Sequence, residues 1–497
     1  MRLLKDRQLP PRLQDLQKEI EGYAREFGLD FFEVIFELLS GDQINEIAAY
    51  GGFPARYPHW RFGMEYEQLK KSHTYGLSKI YELVINNDPA IAYLQESNEE
   101  VDQKLVMAHV YGHSDFFKNN IFFAHTNRKM VDTMANHGTL VRRLMDRHGQ
   151  TKVEDFIDLA LSLENLIDPH RVFLETPALP PEDPEEDATA VVGRIKTKEY
   201  LESFVNPPEF LEAQRKKLEE ARLRRKKVPE RPERDVLLFL IRYAPLERWQ
   251  QDILELVREE AYYFLPQMQT KIMNEGWASY WHTKIMTERV LQASEVIDYA
   301  EKCAGVFSMP PGHFNPYKVG LELFRDIERR WDRGQFGKEW EDCDDYEEKL
   351  HWDTRAGKGK EKIFEVRRLH NDVTFIDTFL TPDFCDRAQL FVHRYNERTR
   401  RREISDRDFN AVKAQLLAGL TNHGNPIIHV MDANFENRGE LLLAHDFQGM
   451  ELDLNYARAT LGNLQKIWSR PVHIHTYGDE KPKLLSHDGH EFKERPL

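Results

Sequence analysis

The run Val106-Met107-Ala108-His109-Val110-Tyr111-Gly112-His113 sets two imidazoles four residues apart in an otherwise apolar stretch. Residues i and i+4 of an α-helix lie one above the other on one face, so His109 and His113 can aim ring nitrogens at one ion. A buried pair held by hydrogen bonds to backbone satisfies the same spacing, so the pair alone does not decide. A second stretch, Asn274-Glu275-Gly276-Trp277-Ala278-Ser279-Tyr280-Trp281-His282, places a carboxylate on another apolar, aromatic helix. Glu275 and His282 are seven residues apart, about 10 Å along a helix axis at about 1.5 Å per residue, so the two do not readily ligate one ion. Glu275 is the expected third ligand, and His282 is expected behind the ligands or against substrate. His370, in Leu369-His370-Asn371-Asp372, is a further candidate from a loop, with a capping or core role as its plainer reading.

Residues 50–66 differ from their surroundings: glycine and proline forbid a long regular element, while aromatic, arginine and histidine side chains crowd together. Arg56, His59 and Arg61 bring donors, and Tyr57 and Trp60 bring flat faces, which suits a loop holding a carboxylate- or sugar-bearing ligand over the histidine pair. The alternative is an aromatic plug in a groove between helices.

These groups need elements to position them. Residues 11–40 read as two amphipathic helices broken at Gly28. Ile80–Ile85 and Ala90–Leu94, parted by Asn86-Asn87-Asp88-Pro89, read as a hairpin or as a strand followed by a helix. A helix from Glu99 to about Asn120 carries the histidine pair, and helices follow toward His148 and over 152–166. Helices near 246–265, 267–288, 292–304 and 316–333 succeed one another, the second carrying Glu275 and the last opening on Pro316. From about 387 short strands and two helices alternate. The expected fold is α+β: a large, mainly α-helical body with a small C-terminal α+β module. The expected boundaries are 1–173, a helical part with the histidine pair; 174–234, a charged, mobile insertion; 235–386, a second helical part packing on the first; and 387–497, the module. The insertion follows from Leu179-Pro180-Pro181-Glu182-Asp183-Pro184-Glu185-Glu186-Asp187 and the basic run after Arg215, which offer few apolar anchors.

Composition sets limits on function. The 497 residues are 41% hydrophobic and 11% aromatic, ample for a packed core. No apolar run reaches bilayer length and the N-terminus leads into charge, so a cytoplasmic, non-exported protein with no membrane span is expected. Cys303, Cys343 and Cys385 are scattered, which fits a reducing compartment. A formal net charge of −15 argues against nucleic acid as a partner.

Tyr57-Pro58-His59-Trp60, then Tyr111-Gly112-His113 with Phe116-Phe117-Lys118-Asn119-Asn120, then Asn274-Glu275-Gly276-Trp277-Ala278 with Trp281-His282 resemble, in that order, the SpoVR family, the stage V sporulation protein R group. The resemblance covers nearly the whole chain. It implies a part in spore cortex or cell-envelope formation or in stress physiology, beside a PrkA-type serine kinase and a von Willebrand-type protein as partners. Two histidines four apart followed by a later Glu-Gly-Trp-Ala is also similar to the gluzincin metallopeptidases. That likeness implies a divalent ion, zinc first, on His109, His113 and Glu275, and hydrolysis of a peptide or peptidoglycan-related ligand. It departs at Val110, where those enzymes carry a glutamate as general base; valine cannot take a proton. Either another group, Tyr111, Asp115, His282 or Glu65, supplies that function, or the site binds metal without peptidase chemistry. The competing expectation is a non-catalytic scaffold or regulatory partner of the kinase system, the two motifs being a buried polar core.

Overall fold

The computed structural model describes residues 9–74, 82–174 and 228–497, with single positions 207, 212 and 216. The charged insertion expected over 174–234 therefore lies mostly outside the described residues. Helices predominate, with strands gathered into three small sheets, the α+β class expected. No helix among the described residues is long and apolar enough to cross a membrane. Backbone contacts divide the chain into two units, residues 1–153 with 263–424 and residues 154–262 with 425–497.

In the first unit, helix Pro11–Glu26 opens on its proline and buries Leu16, Ile20 and Ala24. The second helix expected over 31–39 is instead strand β1, Val34–Leu39. Val34 and Phe36 point inward while Ile35 between them is 41% exposed, the two-residue period of a sheet, and all three are strand formers. Strand β2 is Leu83–Ile85 and β3 is Ala90–Gln95; β2 and β3 pair antiparallel, so the Asn86–Pro89 turn closes a hairpin. β1 joins β3 in parallel from Val34↔Ala90 to Leu39↔Gln95.

Helix Glu100–Asn119 carries the histidine pair and buries every side chain from Val101 to Phe117. A helix sealed all round lies inside a core. Helices Lys271–Ile285 and Gly359–Leu369 pack on it, and helix Pro316–Asp332 packs on both of those. Glycine sets how closely they meet. A Cβ on Gly112 would stand 2.7 Å from Cα of Ala278, one on Gly276 would stand 2.5 Å from Cα of Gly320, and one on Gly320 would strike the Ile272 carbonyl oxygen. The helices therefore touch backbone to backbone.

The module expected from 387 starts later, at residue 425. The two-stranded ribbon β4, Val392–Asn396, with β5, Arg401–Asp406, and helix Phe409–Leu420 belong to the helical unit. Val412 is buried in the helical core and Lys413 holds Asp377 at 2.8 Å, which fixes that helix to Asp372–Phe379. Likewise 235–262 falls in the other unit rather than with the second helical part.

The second unit holds a five-stranded sheet in the order β10-β9-β8-β7-β6, with β6 Ile428–Phe435, β7 Glu440–His445, β8 Val472–Gly478, β9 Lys481–His487 and β10 Phe492–Pro496. β7 and β8 are parallel, joined through helix Leu454–Trp468, whose Leu461, Leu464 and Ile467 are buried. At the head of helix Val236–Tyr243, Asp235 is fully buried and takes Arg258 at 2.6 Å and the Tyr262 hydroxyl at 2.8 Å.

Candidate metal centre

The histidine helix and helix Lys271–Ile285 run antiparallel. His113 lies opposite Asn274, Gly112 opposite Ala278, and His109 opposite His282. This crossing brings three expected ligands together. Nε2 of His113 is 3.4 Å and Nε2 of His109 is 3.6 Å from Oε2 of Glu275. The rings of the pair sit 4.5 Å apart. A fourth donor, missed in the sequence, is Glu82, whose Oε2 is 3.1 Å from Nε2 of His109. One donor atom from each of Glu82, His109, His113 and Glu275 lies within 4.8 Å of all the others.

The remaining atoms of these four side chains are held from outside. Nδ1 of His113 meets Oδ1 of Asn274 at 2.9 Å, and an amide oxygen can only accept, so this nitrogen carries a proton and Nε2 is the atom turned to the cluster. Nδ1 of His109 meets Nδ1 of His282 at 2.8 Å. Oε1 of Glu275 accepts from Lys271 at 2.5 Å, and Oε1 of Glu82 accepts from the Tyr317 hydroxyl at 2.8 Å. Nε2 of His109 and Oε2 of Glu275 are buried with no aligned hydrogen-bond partner. A tetrahedral site with metal bonds of about 2.0–2.1 Å has edges of about 3.3 Å, and the observed 3.1, 3.4 and 3.6 Å separations bracket that length. The donor set and its outer partners fit a divalent ion.

Electrostatics agree with the geometry. Burial presses His109 toward its neutral form, but the Glu82 and Glu275 carboxylates outweigh it and hold the imidazole up at about 9. Burial would raise Glu275, yet the adjoining His113, then His109 and Lys271, bring it well below the usual carboxylate range. His282 is driven well below its ordinary value by burial and by the charge of His109 and His113, so it faces His109 as a neutral acceptor. The cluster is thus one buried and one partly buried carboxylate that need positive charge, which protons or a cation can supply.

The Glu275 helix is anchored at its start by Asp372, whose carboxylate oxygens accept from the amides of Ile272 at 2.8 Å and Met273 at 2.9 Å. Burial pushes Asp372 up to about 7 in spite of these bonds. A carboxyl raised in the folded state contributes stability that is complete below about pH 4 and is lost as pH rises through about 7. In metal-stripped protein, the stability margin of wild type over Asp372→Asn should therefore shrink by about 2 kcal/mol between pH 5 and pH 8, as followed by urea unfolding. A margin that grows with pH would refute the assignment.

Two residues expected in catalysis lie elsewhere. Tyr111 and Asp115 are each two positions, about 200° of helix, from a histidine of the pair and so face away from it. The Tyr111 ring packs against Phe31 at 4.7 Å and Phe36 at 5.8 Å. Asp115 is fully buried, accepting from the Asp30 amide and the Trp277 indole, each at 2.8 Å, and facing Arg367 at 3.2 Å. Its burial raises it to about 6, against the pull of Arg367. Asp115 ties three segments of the core together. Glu65 is exposed on helix Trp60–Thr74, and His370 packs edge-on against Phe379 at 5.1 Å.

The aromatic stretch is also rearranged: only 50–59 is irregular, because Trp60 begins that helix. Arg56, Tyr57 and His59 are buried, with Arg56 lying over the rings of Tyr57 and Phe62. Phe53 packs on Tyr263 at 5.5 Å and Phe264 at 6.1 Å, and the Arg56 carbonyl passes close over Gly138 of helix Met130–His148. These are the contacts of a plug, in a cluster of the core separate from that of the histidine helix. Trp60, 52% exposed, and Arg61 remain at the surface.

Comparison with known proteins adds the following. The family model described as SpoVR like protein matches residues 8–425, and that of the SpoVR-like C-terminal domain matches 426–479. Their junction adjoins the structural break at 424 and 425. The uncharacterized protein YcgB of Escherichia coli (strain K12) is 30% identical over 410 residues, covering 78% of this chain and 75% of YcgB. No solved structure matches the chain. With all three sequence motifs inside the matched span, and two of them forming the buried cluster, the chain belongs to the SpoVR family.

Proposed function

We propose that the chain is a divalent-metal protein, with zinc on His109, His113 and Glu275, that acts as a hydrolase on a peptide or peptidoglycan-related substrate in the cytoplasm. The observation that carries this reading is the convergence of His109 Nε2 and Glu275 Oε2, both buried and without an aligned hydrogen-bond partner, while Nδ1 of each histidine is fixed from behind. An ion there would supply Lewis-acid polarisation of a carbonyl and acidification of a water. The chain's own residues supply the rest. Glu82 takes the role that Val110 cannot: Oε2 stands at the cluster to hold a proton while the Tyr317 hydroxyl keeps Oε1 in place. Asn274 and His282 orient the two imidazoles, and Lys271 holds the far oxygen of Glu275.

Glu82→Gln separates chemistry from binding. The amide keeps the shape and the Tyr317 contact but cannot accept a proton at pH 7, so stoichiometric zinc should remain while cleavage of cell-wall stem peptides falls by about 100-fold or more. Loss of zinc together with activity would make Glu82 a ligand instead of a base. A second reading rests on the same count of donors: four protein donors within 4.8 Å suit a closed, structural ion. The chain would then serve as a scaffold or regulatory partner of a PrkA-type serine kinase and a von Willebrand-type protein in spore cortex or stress physiology. Metal with no turnover in either wild type or Glu82→Gln favours that alternative.

A further inference from the structure

A second site lies in the helical unit. A cavity of about 1080 Å³ opens between the 309–314 segment, the first turns of helix Pro316–Asp332, helix Pro382–Ala388, the β4–β5 ribbon and helix Phe409–Leu420. It is of the size of small-molecule sites. Its floor is apolar, formed by buried Val319, Phe384, Leu390 and Val412.

Its rim is basic, on a chain whose net charge is −15. Lys318, Arg387, Arg402 and Arg407 line it against two acids, Glu322 and Asp386. Glu322 is taken by Arg325 at 2.9 Å. Arg387 shares a single buried carboxylate, that of Asp326, with Arg329 and Arg330, which leaves an excess of positive charge behind the wall. Arg402 spends one nitrogen on the Gly312 carbonyl. Among the described residues the Lys318 side chain has no hydrogen bond or ion pair, and the Arg407 guanidinium meets the Phe391 ring, 5.0 Å from its centroid. Lys318 without an ion pair and Arg407 facing only a ring, in one cavity with an apolar lining, suit a ligand with both characters, because an apolar molecule would leave the cations unanswered and a bare anion would leave the apolar lining in water.

We propose that this cavity binds a small amphiphilic anion, a phosphate or carboxylate head on an apolar body, with Lys318 and Arg407 receiving the head. A local positive rim is what an acidic chain needs to capture such a ligand against its own long-range field. The proposal does not depend on the metal reading.

Calorimetric titration of the full chain with decyl phosphate, decanoate, decanol and inorganic phosphate, all below micellar concentration, tests it. One of the two amphiphilic anions should saturate a single site, with decanol and inorganic phosphate each weaker by about tenfold or more. Whichever anion is tighter identifies the head as phosphate or carboxylate. Lys318→Glu and Arg407→Glu should each weaken that ligand by about tenfold. Should either variant melt more than about 4 °C below wild type, Lys318→Gln takes its place, with a loss of about threefold expected. Binding of none of the four, decanol binding as tightly as the anions, or affinity unchanged in the variants would each overturn the proposal.

Discussion

Alanine at His113 or at Glu275 is expected to leave the purified chain without stoichiometric metal, against an expected value of about one ion per chain for wild type by mass spectrometry of the metals. Each change removes one of three ligands, and the two that remain cannot hold the ion against a weak chelator. A second effect follows from mass action. An ion present at about a thousand times its dissociation constant stabilises the folded state by about 4 kcal/mol, and losing it should lower the melting temperature by roughly 5–10 °C. Chelator-treated wild type should melt within a few degrees of the His113→Ala variant, because among the described residues the hydrogen-bond partner this change strands is the single side-chain oxygen of Asn274. Full occupancy in both variants would end the metal proposal, and a large gap between chelated wild type and the variants would assign the histidines to packing.

Gly276→Ala is expected to be worse for the fold than either ligand change. The new Cβ would sit 2.5 Å from Cα of Gly320, and both atoms are on backbone that cannot rotate aside. Overpacking a core by one methyl costs about 1–3 kcal/mol when side chains can yield, and here two helices must part instead. Parting helices Lys271–Ile285 and Pro316–Asp332 shifts Glu275, the next residue, from its place beside the histidine helix, so Gly276→Ala should lose metal as well as stability. Gly63→Ala, on exposed helix with open space at its Cβ, should be neutral or slightly stabilising by the same unfolding assay. Equal behaviour of the two variants would refute the close-approach argument.

The contrast between these glycines shows what the sequence could reveal. A glycine in a helical pattern reads as a mild weakness, and nothing in the local pattern says that another helix's backbone will arrive there. His109, His113 and Glu275 were legible because helical periodicity fixes which residues share a face and because the likeness to known motifs joined two distant stretches. The same periodicity disqualifies Tyr111 and Asp115, which sit half a turn away from the pair; residue chemistry drew attention to them where geometry should have excluded them. Glu82 had no signal, for it lies in an ordinary Tyr-Glu-Leu-Val run and joins the site from the position just before β2. Strands β6 to β9 fall in the alternation of short strands and helices expected from about 387, and the Asn434 side chain closes the β6–β7 turn by accepting from the Gly439 amide at 2.9 Å. β1 was not, since six residues of mixed burial satisfy either period until their partner β3 is known.

The antiparallel crossing also bears on how the chain can vary. His113 and Asn274 are 161 residues apart in sequence, and His109 and His282 are 173 apart. In the unfolded chain the histidine pair is therefore a bidentate site with its third ligand at the end of a very long tether. Closing such a tether costs chain entropy that grows only with the logarithm of its length, so doubling it adds only about 0.6 kcal/mol. The length of chain between the two helices is therefore a weak constraint on the cluster, whereas the glycine contact at the crossing is a strict one. An ion held as proposed would act as a cross-link that exists only after the two helices have met.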